Sequence, residues 1–245
     1  MNQFRFPYKL FCAALVFFLT SCGGSDDKTG TDTTDSTAND TTSTTPMETS
    51  TIVSSPQAMV IARHKVANYT KWKASYDAHD SMRLANGMHT FVIGRGVTDS
   101  NMVMVALRVD DMNKAKEFGK SASLKQAMQK GGVVGAPDIR YLTITSLDTA
   151  ISTEMRSMST FSVKDWDAWK NSFDSGRQLR MDNGLTDRAI AHDVDDNHKV
   201  MVVANIVDSA RAASYWKSDT LKKRRIMGGV IGEPKRFVYR VAQRY

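Results

Sequence analysis

The sequence predicts an α+β protein made of two tandem, ferredoxin-like β-α-β-β-α-β units, and three observations predict it. The first is an internal repeat. Shifting residues 57–147 forward by 97 positions, the interval from Val66 to Val163, places Trp72, Lys73, Ser75 and Asp77 on Trp169, Lys170, Ser172 and Asp174. The same shift carries Arg83, Asn86 and Gly87 onto Arg180, Asn183 and Gly184, and Gly131-Gly132-Val133 onto Gly228-Gly229-Val230, without a gap. The second is that apolar spacing within each copy switches between the two-residue period of a strand and the three-to-four-residue period of a helix. The third is that cap and turn residues recur at the boundaries of those segments in both copies.

The elements follow in chain order. Arg5 and Lys9 precede an apolar run at 10–19 and then Thr20-Ser21-Cys22, the layout of an export signal over residues 1–21. That run is half the ~20 residues a spanning helix needs, so a retained transmembrane anchor is not expected. Leu19-Thr20-Ser21-Cys22 resembles the lipobox of bacterial lipoproteins, which implies lipid on Cys22 and a place in the cell envelope, held to the outer membrane. Asp26 and Asp27 after it resemble the surface-export signal of some lipoproteins; a plain soluble tether is the other reading. The chain has two cysteines, Cys12 in the signal and Cys22. The exported part therefore has no disulfide framework and no cysteine-based metal site.

Residues 22–56 are rich in Thr, Ser and Asp and poor in large apolar side chains, so they cannot offset the entropy of ordering and read as a stalk. The formal charge of +7 falls to +5 once Arg5 and Lys9 leave with the signal. Because the stalk is acidic, the folded part is more basic still. That balance favours anionic partners such as glycans, lipid headgroups or small carboxylates, and nucleic acid is not expected for an exported chain.

Within the first copy, 57–147, residues 58–66 read as a strand. Tyr69, Trp72, Tyr76, His79 and Arg83 recur on one face of a single helix closed by Asn86-Gly87. Strands at 90–96 and 102–109 flank the turn Thr98-Asp99-Ser100-Asn101. Asp111 is placed to cap a second helix, interrupted near 121–123 and ended by Gly131-Gly132, and 138–145 supplies the last strand. The second copy, 152–245, repeats the pattern, with Trp166, Trp169, Phe173 and Arg180 on the helix face.

His64-Lys65-Val66, Tyr69, Trp72, Arg83 with Gly87, the Asp-rich turn and the Gly-Val-Val-Gly-x-Pro segment at 132–137 together resemble the dimeric α/β-barrel superfamily, near the antibiotic-biosynthesis monooxygenases. The resemblance implies a barrel that two subunits normally build face to face. Two copies in one chain then imply a pseudo-dimer closed within one polypeptide, which covers sheet faces that would otherwise be exposed.

The candidate site is a set of polar groups on a face that should be apolar: His64 on the first strand, with His79 and Arg83 continuing the Trp72 and Tyr76 stripe. These five residues could line one small-molecule pocket in the first copy. The competing reading is structural, with His64 satisfied at a strand end and the arginines snorkelling over the aromatic stripe to reach helix carbonyls. In the second copy Phe161 replaces His64 and Gly176 replaces His79, so a polar site is expected in the first copy. Neither His64 and His79 with Asp77 or Asp80, nor His192 and His198 with Asp193, Asp195 and Asp196, has tight ligand spacing, and no metal is expected. Haem-degrading members of the superfamily use a histidine on the second helix. The corresponding segments 123–130 and 220–227 have none, and no cofactor is expected. The basic run 222–225, with Lys235, Arg236, Arg240 and Arg244, reads as helix-end cations or as a binding face. Three functions remain open: a binding module for a small, partly aromatic or anionic ligand, a cofactor-independent monooxygenase-like enzyme, and an interaction protein using the basic C-terminal face.

Overall fold

The computed structural model describes residues 51–150 and 153–245; the signal segment, Cys22 and most of the expected stalk lie outside them. The first copy runs β2 (Gln57–Val66), α1 (Tyr69–Ala78), α2 (Asp80–Ala85), β3 (Met88–Gly96), β4 (Met102–Val109), α3 (Met112–Lys120), α4 (Ala122–Lys130) and β5 (Val133–Asp148). The second runs β6 (Met155–Val163), α5 (Trp166–Asp174), α6 (Arg177–Asp182), β7 (Leu185–Asp193), β8 (Lys199–Ile206), α7 (Ser209–Lys217), α8 (Asp219–Met227) and β9 (Val230–Arg244). Within the segment read as stalk, a short β1 (Ile52–Val53) pairs with the end of β5.

All strand pairings are antiparallel, in the order β1-β5-β2-β4-β3-β9-β6-β8-β7, and β5 also pairs with β7. With β1 set aside, the strands form a closed ring, which removes the open edges that each four-stranded half would carry alone. The two seams between copies are related by the same shift as the sequence: Val92 faces Arg244 and Ile93 faces Gln243 at one, Ala189 faces Leu147 and Ile190 faces Ser146 at the other. The barrel is thus a dimer-like assembly inside one chain.

Side-chain alternation sorts each strand into two cores. From β2, Met59 and Ile61 enter the barrel interior with Met104, Leu142, Met158, Met201 and Tyr239, a core drawn from both copies. Val60, Val66 and the β4 residues Val103, Val105 and Leu107 point outward under the helices, where Trp72 and Phe118 cover them. Burial on both faces explains why β4 reads as an unbroken apolar run. Where Tyr239 crosses the interior, Gly94 makes room, since a Cβ there would lie 2.3 Å from the Tyr239 ring.

The second helical segment begins on the expected cap, Asp111, which accepts from the backbone of Asn113 and Lys114, and Asp208 at the matching position of the second copy accepts from that of Ala210 and Arg211. The interruption near 121–123 is a new N-cap, Ser121, accepting from the Leu124 amide. One expectation needs correction. The helix predicted from Tyr69 through Arg83 breaks at His79, and its counterpart breaks at Ser175-Gly176. The physical reason is local: Arg83 Nη1 donates to the Tyr76 carbonyl at 2.7 Å and Arg180 Nη1 to the Phe173 carbonyl at 2.6 Å. Each guanidinium thereby adds a second donor to a carbonyl of the last helical turn, which also accepts a tight backbone bond, from His79 to Tyr76 at 3.3 Å and from Gly176 to Phe173 at 3.0 Å.

Candidate functional site

Between the outer face of each half-barrel and its helices lies a cleft. The first has about 100 Å³ of free space, and its lining includes His64, Trp72, Tyr76, His79 and Arg83, so one cavity gathers all five residues singled out from the sequence. The rest of its wall is mostly apolar, from Val60 and Ala62 on β2 to Leu124 and Met128 on α4 and Ile139 on β5, with Ser75 and Tyr141 as the other polar side chains.

The five do different things. Trp72 is 3% exposed and sits in a chain of rings, 5.7 Å from Tyr69, 5.1 Å from Tyr76 and 5.5 Å from His64, so it is packing. Tyr76 shares a 2.7 Å hydrogen bond with Thr90, and burial pushes its phenol up to about 12, leaving it protonated. Arg83 is committed elsewhere. Its Nη2 donates to Asp80 at 2.9 Å, its Nη1 to the Tyr76 carbonyl, and its guanidinium lies over the Tyr76 ring at 3.6 Å. That is the geometry of the structural reading for the arginine. His79, at the helix break, places Nδ1 2.6 Å from the Ser75 carbonyl.

His64 is the exception. It is 7% exposed, and neither ring nitrogen has a hydrogen-bond partner among the described residues. Burial lowers its pKa to about 4, so the ring is neutral at neutral pH, with one donor and one acceptor facing an apolar cavity. Leaving such a pair unmet costs about 1–3 kcal/mol per group. A strand-end histidine satisfied by its own fold does not look like this.

The second copy holds the equivalent cleft, of about 120 Å³, and its chemistry is different. Ser157, Ser159, Arg225 and Arg236 stand where the first cleft has Val60, Ala62, Met128 and Ile139, and Phe161 replaces His64. The expectation that polarity belongs to the first copy is therefore incomplete: the first cleft carries the unpartnered imidazole of His64, and the second carries the arginines Arg225 and Arg236. The run at 222–225 hides this, because Lys222 and Lys223 are exposed whereas Arg224 and Arg225 turn into the cleft. The sequence signal that could have found it is the set of positions where the two copies disagree.

Two such disagreements are compensating pairs. In the first copy Gly119 leaves room for the Tyr141 hydroxyl, which would lie 2.2 Å from a Cβ there; the second copy has Trp216 opposite Val238. Arg224 approaches within 2.6 Å of where a Gly176 Cβ would stand, and the first copy has His79 opposite Ala127.

His192 and His198 do not converge. His192 bonds the Asp193 carbonyl at 2.8 Å and lies 4.8 Å from the Trp166 ring, while His198 pairs with Asp196 and Asp195 pairs with Lys116. Among the described residues no cluster of three or more His, Cys, Asp or Glu side chains could hold a metal ion. Haem does not fit the first cleft: α4 brings no histidine to it, and about 100 Å³ of free space is too little for a four-ring macrocycle.

No family model matches the chain, and no curated protein matches it. Solved structures do. An anthrone oxidase-like protein aligns at 13% identity and a TM-score of 0.54, over 78% of this chain and 94% of its own. A candidate chlorite dismutase aligns at 13% identity and 0.53, over 77% and 95%. A candidate monooxygenase from Fusobacterium nucleatum subsp. nucleatum aligns at 10% identity and 0.50, over 77% and 93%. At such identities the likeness is one of fold, and by fold this chain is a dimeric α/β barrel with both halves of the barrel in one polypeptide.

Proposed function

We propose that this is a lipid-anchored envelope protein whose first-copy cleft binds a small, neutral, partly aromatic ligand carrying a hydroxyl or carbonyl group. The observation that carries the reading is His64: a buried, neutral imidazole with both nitrogens unmet, in a mostly apolar cleft of about 100 Å³ that opens to solvent. A ligand hydroxyl accepts from one nitrogen or donates to the other, while its ring replaces dispersion contacts that the void lacks. The cleft does not favour an anion, because its one cation, Arg83, is already bound to Asp80 and the Tyr76 carbonyl. The anchor rests on the lipobox-like Leu19-Thr20-Ser21-Cys22.

Calorimetric titration of simple quinols and polyphenols into the full chain tests the reading. Binding that is lost in His64→Phe, the residue the second copy carries at that position, is the expected result. Unchanged binding in that variant overturns it.

A cofactor-independent monooxygenase acting on such a phenol is the second reading, favoured by the same imidazole as a proton acceptor. Magnitude places it second. A base is most effective with a pKa near the working pH, and one at about 4 holds a phenolic proton weakly. Oxygen uptake with the same quinols separates the two. The basic-face reading loses ground, because Arg224, Arg225 and Arg236 line the second cleft and Arg244 pairs with Glu154 at 2.7 Å.

A further inference from the structure

The two clefts descend from one duplicated sequence, so their differences at matched positions show what each was shaped to hold. Around the second cleft, Arg180 is neutralised by a two-point contact with Asp187 at 2.7 and 2.6 Å, and Arg224 is spent on the Ser172 carbonyl and the Ser175 hydroxyl. Arg225 and Arg236 are not spent. Arg225 has only Glu233 at 3.8 Å, a side chain 87% exposed, and Arg236 forms no ion pair among the described residues. The Arg236 Nε is buried without a partner, and its guanidinium lies 4.2 Å from the centre of the Trp216 ring, which holds it in place.

Two half-buried guanidiniums close together, sharing only the long contact of Arg225 with the exposed Glu233, repel each other and have given up hydration. Burial, then the neighbouring Arg225, pulls the pKa of Arg236 down to about 10. An anion between them would relieve both costs, and planar guanidiniums suit a carboxylate or phosphate. The remaining wall, with Phe161, Trp169 and Leu221, is apolar, so a bare inorganic ion would leave most of the cavity unmatched.

We propose that the second-copy cleft is a separate binding site for a small amphipathic anion: an apolar ring or short chain in the cavity, with its acidic headgroup held by Arg225 and Arg236 beside Ser157 and Ser159. The site is independent of the first cleft and of whatever occupies His64.

The test titrates the full chain with benzoate and phenyl phosphate, with benzyl alcohol as an uncharged match and inorganic phosphate as a headgroup without a ring. Both aromatic anions are expected to bind more tightly than benzyl alcohol, and to weaken as salt is raised. Arg236→Ile and Arg225→Met place in this cleft the residues the first cleft carries, so packing is preserved. Each is expected to weaken the anions on the order of tenfold, the cost of losing one charged partner, and to leave benzyl alcohol unchanged. His64→Phe is expected to leave benzoate affinity unchanged, which separates this site from the first. Benzoate that binds Arg236→Ile as well as the parent, or not at all, overturns the proposal, as does inorganic phosphate binding as tightly as phenyl phosphate.

Discussion

Arg180 grips Asp187 with two nitrogens, at 2.7 and 2.6 Å, while its first-copy equivalent Arg83 holds Asp80 with one nitrogen at 2.9 Å. The arginines are otherwise alike, each 3.6 Å from the ring of the residue whose carbonyl it caps. The acids are not. The Asp187 side chain is 17% exposed and sits on a strand, whereas that of Asp80 is 52% exposed and lies one turn away on the same helix. Removing the charge from Asp187 strands a buried guanidinium, so Asp187→Asn is expected to cost about 3–5 kcal/mol. Asp80→Asn removes a half-hydrated pair and is expected to cost under about 1 kcal/mol. Urea unfolding of both variants checks the contrast, and equal losses would refute it.

His64 makes stability depend on pH in a defined window. Its pKa is 6.5 when unfolded and about 4 when folded, because burial disfavours the charged ring. Between those values the unfolded chain holds more protons than the folded one, so stability is complete above pH 6.5 and is lost as pH falls toward 4. The shift corresponds to about 3 kcal/mol at the lower limit. The difference in unfolding free energy between the parent and His64→Phe, followed across that window, isolates this contribution from the carboxylates. The parent should lose stability relative to the variant, and parallel curves would show that the imidazole is not buried in its neutral form.

Cys22 is the sole cysteine after the signal, so labelling chemistry at that residue is unambiguous. Cells fed labelled palmitate are expected to label the parent chain and Cys12→Ala, and to leave Cys22→Ala unlabelled. Label that persists in Cys22→Ala would show that the lipobox resemblance misleads.

How much of this was legible beforehand depended on whether the signal was periodic. The shift that puts Val66 on Val163 is long and gapless, so the copies and their strand and helix order could be read directly, and the barrel closure followed because neither half can cover its own sheet. The break at His79 could not. It depends on Arg83 reaching back to the Tyr76 carbonyl, a contact in space that the three-and-four spacing of the aromatic stripe conceals. In the first cleft the five candidate residues could be grouped because they share one helix face and one strand face. Which of them is unmet could not be read, since Arg83 and His64 look equally polar in sequence and differ only in their partners. The second cleft was hidden by composition: Arg225 stands in a run of four cations, and only the helix rotation separates the two that point outward from the two that line a cavity.

The clearest single test of the barrel interior is Gly94 with Tyr239. The Tyr239 ring is 2% exposed, and a Cβ on Gly94 would stand 2.3 and 2.9 Å from two of its carbons, too close for any rotamer adjustment of a residue packed on every side. At the pseudo-symmetric seam the same positions are Ala191 and Leu142, a larger residue than glycine in the same core as a smaller, more adaptable side chain than tyrosine. Gly94→Ala alone is therefore expected to destabilise the fold by about 1–3 kcal/mol through overpacking. In a Tyr239→Leu background, itself destabilised by the lost ring, the same alanine meets no ring and should be neutral or favourable, since glycine inside a strand costs roughly 0.5–1 kcal/mol relative to alanine. The double-mutant cycle, read by urea unfolding, should then give a coupling on the order of 1–3 kcal/mol in which the sign of the alanine effect changes between backgrounds. Additive effects would mean that the ring does not occupy the space the glycine leaves.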